Sequence, residues 1–306
     1  MIEFGIGLPR LDNIAASAQR AEQLGYDFLS TGEHVFFYGP IGNGLISLAV
    51  AAGATSHIKL MSTITLVPLY PAALLAKQVT SLDVASGGRF NLGVGVGGEF
   101  PKEFEAIGVP VNERGARTDE ALELLHKLWQ EQDVHFKGRF NTLSGLTLDP
   151  QPHQKPHPPV WVSGRSNAAM RRCAQYGTGW LPYMYTPEKL AESLEVISNR
   201  AQEFDRKEPI KPGLFIFFAV HEDRDTAIEM AAARLGKQYN QDFSQLVHKY
   251  AIAGNPDDCI ARLQAYIDAG ARTIILNSAC PQAYTDANEA LLAETVLPRI
   301  KTANAS

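Results

Sequence analysis

Long hydrophobic runs, clustered basic residues, paired cysteines and a serine nucleophile elbow are all missing from this chain of 306 residues. No apolar stretch approaches the ~20 residues needed to cross a bilayer, so no spanning helix is expected. The N-terminus, Met1-Ile2-Glu3-Phe4-Gly5-Ile6-Gly7-Leu8, has no basic start and no cleavage site; it reads as a first strand, not a signal peptide, and points to the cytoplasm. The three cysteines, Cys173, Cys259 and Cys280, show no CxxC spacing, and their odd number cannot form a complete disulfide set. They read as buried thiols in a reducing compartment. A net charge of -5, with no run of Lys and Arg, argues against nucleic acid or an acidic membrane as partner and leaves a small molecule as the default. His153 and His157 lie in a Pro-rich stretch with no cysteine or carboxylate beside them, so no metal site is expected. His57, His126 and His248 read as surface or satisfied core histidines. No Gly-x-Ser-x-Gly is present, which removes support for a serine hydrolase.

What the chain does have is a repeated alternation of buried-strand and helix patterns. Hydrophobic residues make up 45% and charged ones 20%, enough apolar material for a real core. Apolar, β-rich runs at 2–8, 28–31, 58–67, 90–96, 159–163, 179–182, 214–220 and 273–277 predict eight strands. Segments of helical period at 14–24, 45–56, 71–85, about 113–130, 168–176, 187–204, 226–239, 256–269 and 285–300 complete the alternation. Each strand is a near-continuous apolar run, as when both faces of a parallel sheet are covered. Count, length and the lack of a composition shift fit one α/β domain over residues 1–306, a closed (β/α)8 TIM barrel, better than an open doubly wound sheet. Residues from about 131 to 158 read as an insertion between the fourth and fifth strands. Its two short β-like runs suggest a hairpin or a lid.

In such a barrel a ligand is met at the C-terminal ends of the strands. After the second strand stand Glu33, His34 and the aromatics Phe36, Phe37 and Tyr38; after the third, residues 65–70; after the fourth, Gly97, Gly98 and Glu99. The fifth ends in Ser163, Gly164, Arg165 and Ser166, and the sixth carries Trp180. An acid, an imidazole, small residues and aromatics at one rim favour a cofactor site, although His34 could equally cap a loop and the aromatics fill core. The turn 163–167 precedes a helix, and its N–H groups, hydroxyls and guanidinium suit a phosphate; helix capping by Ser166 or Asn167 is the plainer use. Gly93-Val94-Gly95-Val96-Gly97-Gly98 superficially suggests a dinucleotide fingerprint, but it is itself strand and no helix follows directly. Alternating glycines there would let a flat ligand approach the backbone.

Four segments in order carry a resemblance. They are Gly25-Tyr26-Asp27-Phe28 leading to Glu33-His34, then Thr63-Ile64-Thr65-Leu66-Val67-Pro68, Ser86-Gly87-Gly88-Arg89-Phe90-Asn91-Leu92-Gly93-Val94-Gly95 and Val160-Trp161-Val162-Ser163-Gly164. From Ile2 to about Ile275 the chain resembles the bacterial luciferase-like superfamily of flavin- and deazaflavin-dependent oxidoreductases. The resemblance implies a TIM barrel with an insertion, usually dimeric, binding reduced FMN or the deazaflavin coenzyme F-420 at the strand ends. It places His34 beside the isoalloxazine as acid/base, with Glu33 the acid preceding it. Thr63 and Ile64 fall where a non-proline cis peptide backs the ring. Ser163, Gly164, Arg165 and Ser166 fall on the phosphate turn, and Gly97, Gly98 and Glu99 along the cofactor. Val96 and Gly97 stand where the luciferase α-chain type has an arginine, and Tyr38 where deazaflavin dehydrogenases have a tryptophan, which leaves the cofactor open. The implied activity is a monooxygenase using reduced FMN and oxygen on a small organic substrate, its flavin supplied by a separate reductase because no second nucleotide-binding domain is visible. A deazaflavin-dependent hydride-transfer dehydrogenase or reductase, or a non-catalytic flavin-binding protein, are the alternatives. Phe36, Phe37, Tyr38 and Trp180 would wall an apolar substrate pocket over which the insertion could close, and a second copy would complete a homodimer.

Overall fold

The computed structural model describes residues 1–8 and 11–304. Its strands are β1 (Glu3–Gly7), β2 (Phe28–Thr31), β3 (Lys59–Ser62), β4 (Thr65–Leu66), β5 (Phe90–Gly95), β6 (Val134–Lys137), β7 (Thr142–Leu146), β8 (Val160–Val162), β9 (Gly179–Trp180), β10 (Lys211–Val220), β11 (Ala251–Gly254) and β12 (Thr273–Ser278). Strands β1, β2, β3, β5, β8, β9, β10 and β12 pair in that order, all parallel, and β12 returns to β1. This is the expected closed (β/α)8 barrel. The helices are α1 (Ile14–Gln23), α2 (Gly44–Ala54), α3 (Ala72–Ala85), α4 (Pro101–Ile107), α5 (Arg114–Gln130), α6 (Asn167–Tyr176), α7 (Pro187–Ala201), α8 (Arg224–Tyr239), α9 (Leu246–Tyr250), α10 (Pro256–Asp268), α11 (Thr285–Leu291) and α12 (Leu297–Ala303). Short elements escape the sequence pattern: β11, which pairs outside the barrel with β10, and the helices α4 and α9. The single C-terminal helix expected over 285–300 is divided by a π turn at Leu292–Val296.

Strand alternation sorts side chains between two layers. On β10, Leu214, Ile216, Phe218 and Val220 join the core beneath the helices, whereas Phe215 faces the barrel axis. There Phe28, Met61, Trp161, Leu181 and Ile275 plug the interior. Trp161 fits because two neighbours lack side chains: a Cβ on Gly179 would stand 2.2 Å from its ring, and one on Gly213 2.9 Å. The same alternation removes Trp180 from the expected substrate pocket. With Gly179 against Trp161, the next residue must point outward. Trp180 is fully buried among the helices and donates from Nε1 to Ser193 Oγ on α7 at 3.0 Å.

The third barrel strand breaks after Ser62 at a cis peptide between Thr63 and Ile64, and resumes as β4 against β5. Ser62 Oγ donates to the Gly93 carbonyl at 3.0 Å and accepts from the Gly93 N–H at 2.9 Å, which stitches the break to β5. A Cβ on Gly93 would lie 1.9 Å from the Ser62 carbonyl oxygen, and one on Gly95 1.8 Å from Ile64 Cδ1. The alternating glycines thus make room for the protein's own bulge, and not for a ligand against β5 as their pattern suggested.

The insertion does contain a hairpin, β6 paired antiparallel with β7. It does not lie over the strand ends. Glu120 on α5 accepts from the N–H groups of Arg139, Phe140 and Asn141 at 2.7, 2.9 and 2.7 Å, pinning the hairpin tip to that helix. Further along, Gln154 donates to Asp83 on α3 and to the carbonyl of Phe90, which opens β5 at its N-terminal end. The segment therefore passes along α5 and under the barrel, and a lid role has no geometric basis.

Two stability predictions follow from these contacts. Gly93→Ala forces a methyl group against backbone and should cost about 2 to 4 kcal/mol in urea denaturation. Gly53→Ala, on the exposed side of α2 with nothing within 4 Å of its Cβ, should instead stabilise by about 0.5 to 1 kcal/mol. Equal effects would refute the role given to the bulge. The second concerns Glu289 on α11, which is 5% exposed and 3.1 Å from Arg20, and whose carboxyl is pushed up to about 7 by burial. A carboxyl raised on folding stabilises most below its ordinary range near 4.5, and that contribution disappears as pH climbs through 7. It amounts to roughly 3 kcal/mol. Stability should fall between pH 5 and 8, and Glu289→Gln should flatten that fall; an unchanged slope would contradict the assignment.

Candidate active site

The acid that ends β2 is drawn into the wall of the mouth. Glu33 is 6% exposed; its Oε1 accepts from the Leu66 N–H of β4 at 3.0 Å, and its Oε2 from the Gly44 N–H of α2 at 3.1 Å and the Tyr70 hydroxyl at 2.8 Å. Burial pushes its carboxyl above the usual range while these donors pull the other way. Every contact ties β2, β4 and α2 together. Glu33 is thus placed to position the bulge, and its carboxylate is engaged in the wall.

His34 is held differently. Its Nδ1 lies 3.1 Å from both carboxylate oxygens of Glu103, a fully buried residue in the first turn of α4. The Val35 N–H donates to the same carboxylate at 3.2 Å. An ionised carboxylate only accepts, so the proton belongs on Nδ1 and the Nε2 lone pair is left for chemistry. The imidazole stacks on Phe37 with centroids 4.1 Å apart, and Tyr38 and Phe100 meet Phe37 edge-on. Phe36 and Tyr38 are 54% and 60% exposed, so they rim the mouth and do not line a closed pocket.

Opposite, the turn after β8 has Gly164 at φ 140°, where a Cβ would stand 2.6 Å from that of Ala169. The Ser163 N–H extends the ladder to Val94 O, and Ser166 caps α6 by accepting from the Ala169 N–H at 3.2 Å. Capping uses the Ser166 oxygen but leaves other N–H groups of the first turn without intrahelical partners. Arg165 is exposed beside them, its guanidinium 4.9 Å over the ring of Tyr183. The Tyr183 hydroxyl donates to Glu99, and burial pushes the phenol upward. Gly97 and Gly98, at φ 62° and 110°, turn the chain between β5 and Glu99 and pack against Phe104 and Arg114.

Thr63, Ile64, Gly97, Gly98, Glu99, Ser163, Gly164, Arg165 and Ser166 therefore share one end of the barrel with Glu33 and His34, whereas Trp180 leaves it. The set fits a planar, phosphate-bearing cofactor: a bulge to back a ring, a glycine turn opening a helix, an unburied guanidinium, and a buried hydroxyl without a partner beside the bulge, Thr65 Oγ1. Sequence reading missed Glu103 and Tyr183, and placed Tyr70 at the rim without a role. For Glu103 the signal was present, since Pro101 followed by an acid two residues on marks a helix start. Among the described residues no group of three or more His, Cys, Asp or Glu side chains could hold a metal ion.

The family model described as luciferase-like monooxygenase matches residues 4–273. An FMNH(2)-dependent dimethylsulfone monooxygenase of Pseudomonas putida is 32% identical over 229 residues, which cover 72% of this chain and 61% of the relative. An F420-dependent glucose-6-phosphate dehydrogenase of Microbacterium testaceum is 23% identical, with 92% of this chain and 91% of the relative covered. Among solved structures, the monooxygenase RslO1 of Streptomyces bottropensis superposes with a TM-score of 0.87 at 26% identity, covering 97% of this chain and 99% of that one. The chain spans between 47% and 64% of the length of several curated relatives it matches.

The Glu103 contact makes a prediction for His34. Nitrogen-15 NMR of the imidazole should find the proton on Nδ1, and Glu103→Leu should shift the neutral ring toward the Nε2–H tautomer. A wild-type ring already protonated on Nε2 would refute the arrangement.

Proposed function

We propose, since the chain belongs to the luciferase-like monooxygenase family, that it is the oxygenase of a two-component system, taking reduced FMN from a separate reductase and using oxygen on a small organic substrate. The observation that carries this reading is the placement of the Gly164–Arg165 turn and the His34–Glu103 pair on one rim, with the Thr63–Ile64 bulge between them. Gly164, Arg165 and the first N–H groups of α6 would hold the phosphate, and the bulge would back the ring. Bound flavin supplies the electrons for the redox chemistry. His34, with Nδ1 fixed by Glu103, moves a proton through Nε2. Phe37 and Phe100 keep water from that imidazole. Glu99 held by Tyr183 at the same mouth favours a second reading, a deazaflavin-dependent hydride transfer in which that acid takes the proton. No helix among the described residues is long and apolar enough to cross a membrane, and our proposal places the enzyme in the cytoplasm.

The homodimer is proposed on α2 and its neighbour α3. Helix α2 carries no charged residue, and Ile46 and Val50 on α2 and Leu74 on α3 are 68%, 46% and 50% exposed. An uncharged apolar helix face of this kind is what a second copy would cover. Val50→Arg should convert a dimer to a monomer in analytical ultracentrifugation; a monomeric wild type would refute the assembly.

Anaerobic titration with reduced FMN and with reduced coenzyme F-420 tests the cofactor. Arg165→Ala should weaken FMN binding at least about tenfold, in line with the loss of a charged hydrogen bond, and leave riboflavin unaffected. Unchanged FMN affinity would remove the phosphate turn, and preference for the deazaflavin would move the reading to hydride transfer. His34→Ala should bind FMN normally but turn over about a hundredfold more slowly. Full activity in that variant would remove His34 from the chemistry.

A further inference from the structure

Around β1 the inward residues of four adjacent strands form two rows at successive levels. The lower row is Phe215, Ile275, Gly5 and Phe28, paired in register across β10, β12, β1 and β2 and apolar throughout. Two residues nearer the C-terminal ends, the next row is Phe217, Asn277, Gly7 and Ser30, with Phe217 paired to Asn277 and Gly7 to Ser30. A Cβ on Gly7 would stand 2.3 Å from Asn277 Oδ1, so the carboxamide lies over β1, in the space a side chain at residue 7 would need. On the far side Ser30 is fully buried, and its Oγ has no hydrogen-bond partner. Among the described residues the Asn277 carboxamide also has no hydrogen bond.

Buried polar groups are nearly always paired, and a hydroxyl beside an unengaged carboxamide offers donors and acceptors at one spot. We propose that Ser30 and Asn277, facing each other across Gly7, form the subsite that takes the substrate's neutral hydrogen-bonding head group, a ketone or amide function on an otherwise apolar body. Three observations select this ligand. First, β1 is four strands from β8 in either direction, so the row lies across the mouth from the phosphate turn and away from Arg165. Second, among the described residues no Lys or Arg hydrogen-bonds or pairs with either residue, and the nearby carboxylates Glu33, Glu103 and Glu99 are bonded elsewhere; a neutral head group needs no counter-ion there, whereas a buried carboxylate would. Third, the row continues into Phe217, whose ring meets Tyr239 at 6.1 Å, and Tyr239 stacks on Phe243 at 5.7 Å, which supplies an apolar wall for the rest of the molecule.

The proposal rests on the reading of this mouth as an active site, but its test needs neither flavin nor turnover. Ligand-observed NMR on the full chain, with and without FMN, would compare benzamide with benzoate and cyclohexanone with cyclohexanecarboxylate. The neutral member of each pair should bind at least tenfold more tightly than its carboxylate. Asn277→Leu and Ser30→Ala should each weaken the neutral ligand about tenfold while FMN affinity stays within twofold. Preference for the carboxylates, neutral binding indifferent to both variants, or no difference within either pair would overturn the subsite. A tenfold loss of FMN affinity in Asn277→Leu would also overturn it, by giving the pair to the cofactor. If Arg165→Ala leaves FMN binding intact but neutral ligands still depend on Asn277, the flavin assignment fails and the subsite stands.

Discussion

A strand that bulges toward its neighbour needs a neighbour without side chains, and the contact between Ser62–Ile64 and β5 meets that need through Gly93 and Gly95. The mouth of the barrel is arranged from that contact outward. Ser62 stitches the break to β5. Glu33 catches the far side of the bulge through Leu66 and fastens it to α2 and Tyr70. Because Gly32 follows β2 with Thr63 O only 2.8 Å from where its Cβ would be, the same bulge also fixes the path of the chain into His34. Changing any of these residues would move the surface against which a ring could lie.

The segment after β5 does a second piece of positioning. Within five residues it supplies Glu99, which accepts from Tyr183 beyond β9, and Glu103, which holds His34 beyond β2. Those two rings stand on opposite sides of β5, each two barrel strands away. One short stretch, bounded by the left-handed turns at Gly97 and Gly98, thus sets the direction of both proton-bearing rings. A shift of that stretch would alter the two together, so proton handling on the two sides of the mouth is mechanically coupled.

Much of the fold was legible because covered parallel strands are written as uninterrupted apolar runs, and each of the eight predicted runs holds a barrel strand. What failed did so for identifiable reasons. Trp180 was placed at the mouth by its position near a strand end, but the face is set by parity, which only the fit of Gly179 against Trp161 reveals. Gly93 and Gly95 correctly signalled a close approach, yet sequence cannot say whether ligand or backbone approaches. The insertion had the length of a lid, and its docking depends on Glu120, an acid with nothing in its local sequence to mark it as a clasp. Asn277 is the opposite case. A polar residue ending the run Thr273 to Leu276 could be read, but the placement of its amide over β1 appears only when Gly7 is found beside it.

The clasp at Glu120 has a bearing on how such a barrel can vary in length. The hairpin tip at residues 138–141 hangs on the Glu120 carboxylate of α5 and, through Arg139, on Glu113 just before that helix, away from the strand ends. Residues added there would extend into solvent, with only a slow growth in loop-closure cost. The chain thus carries, outside its chemistry, a natural splice point where sequence could be gained or a reporter grafted while the mouth keeps its shape.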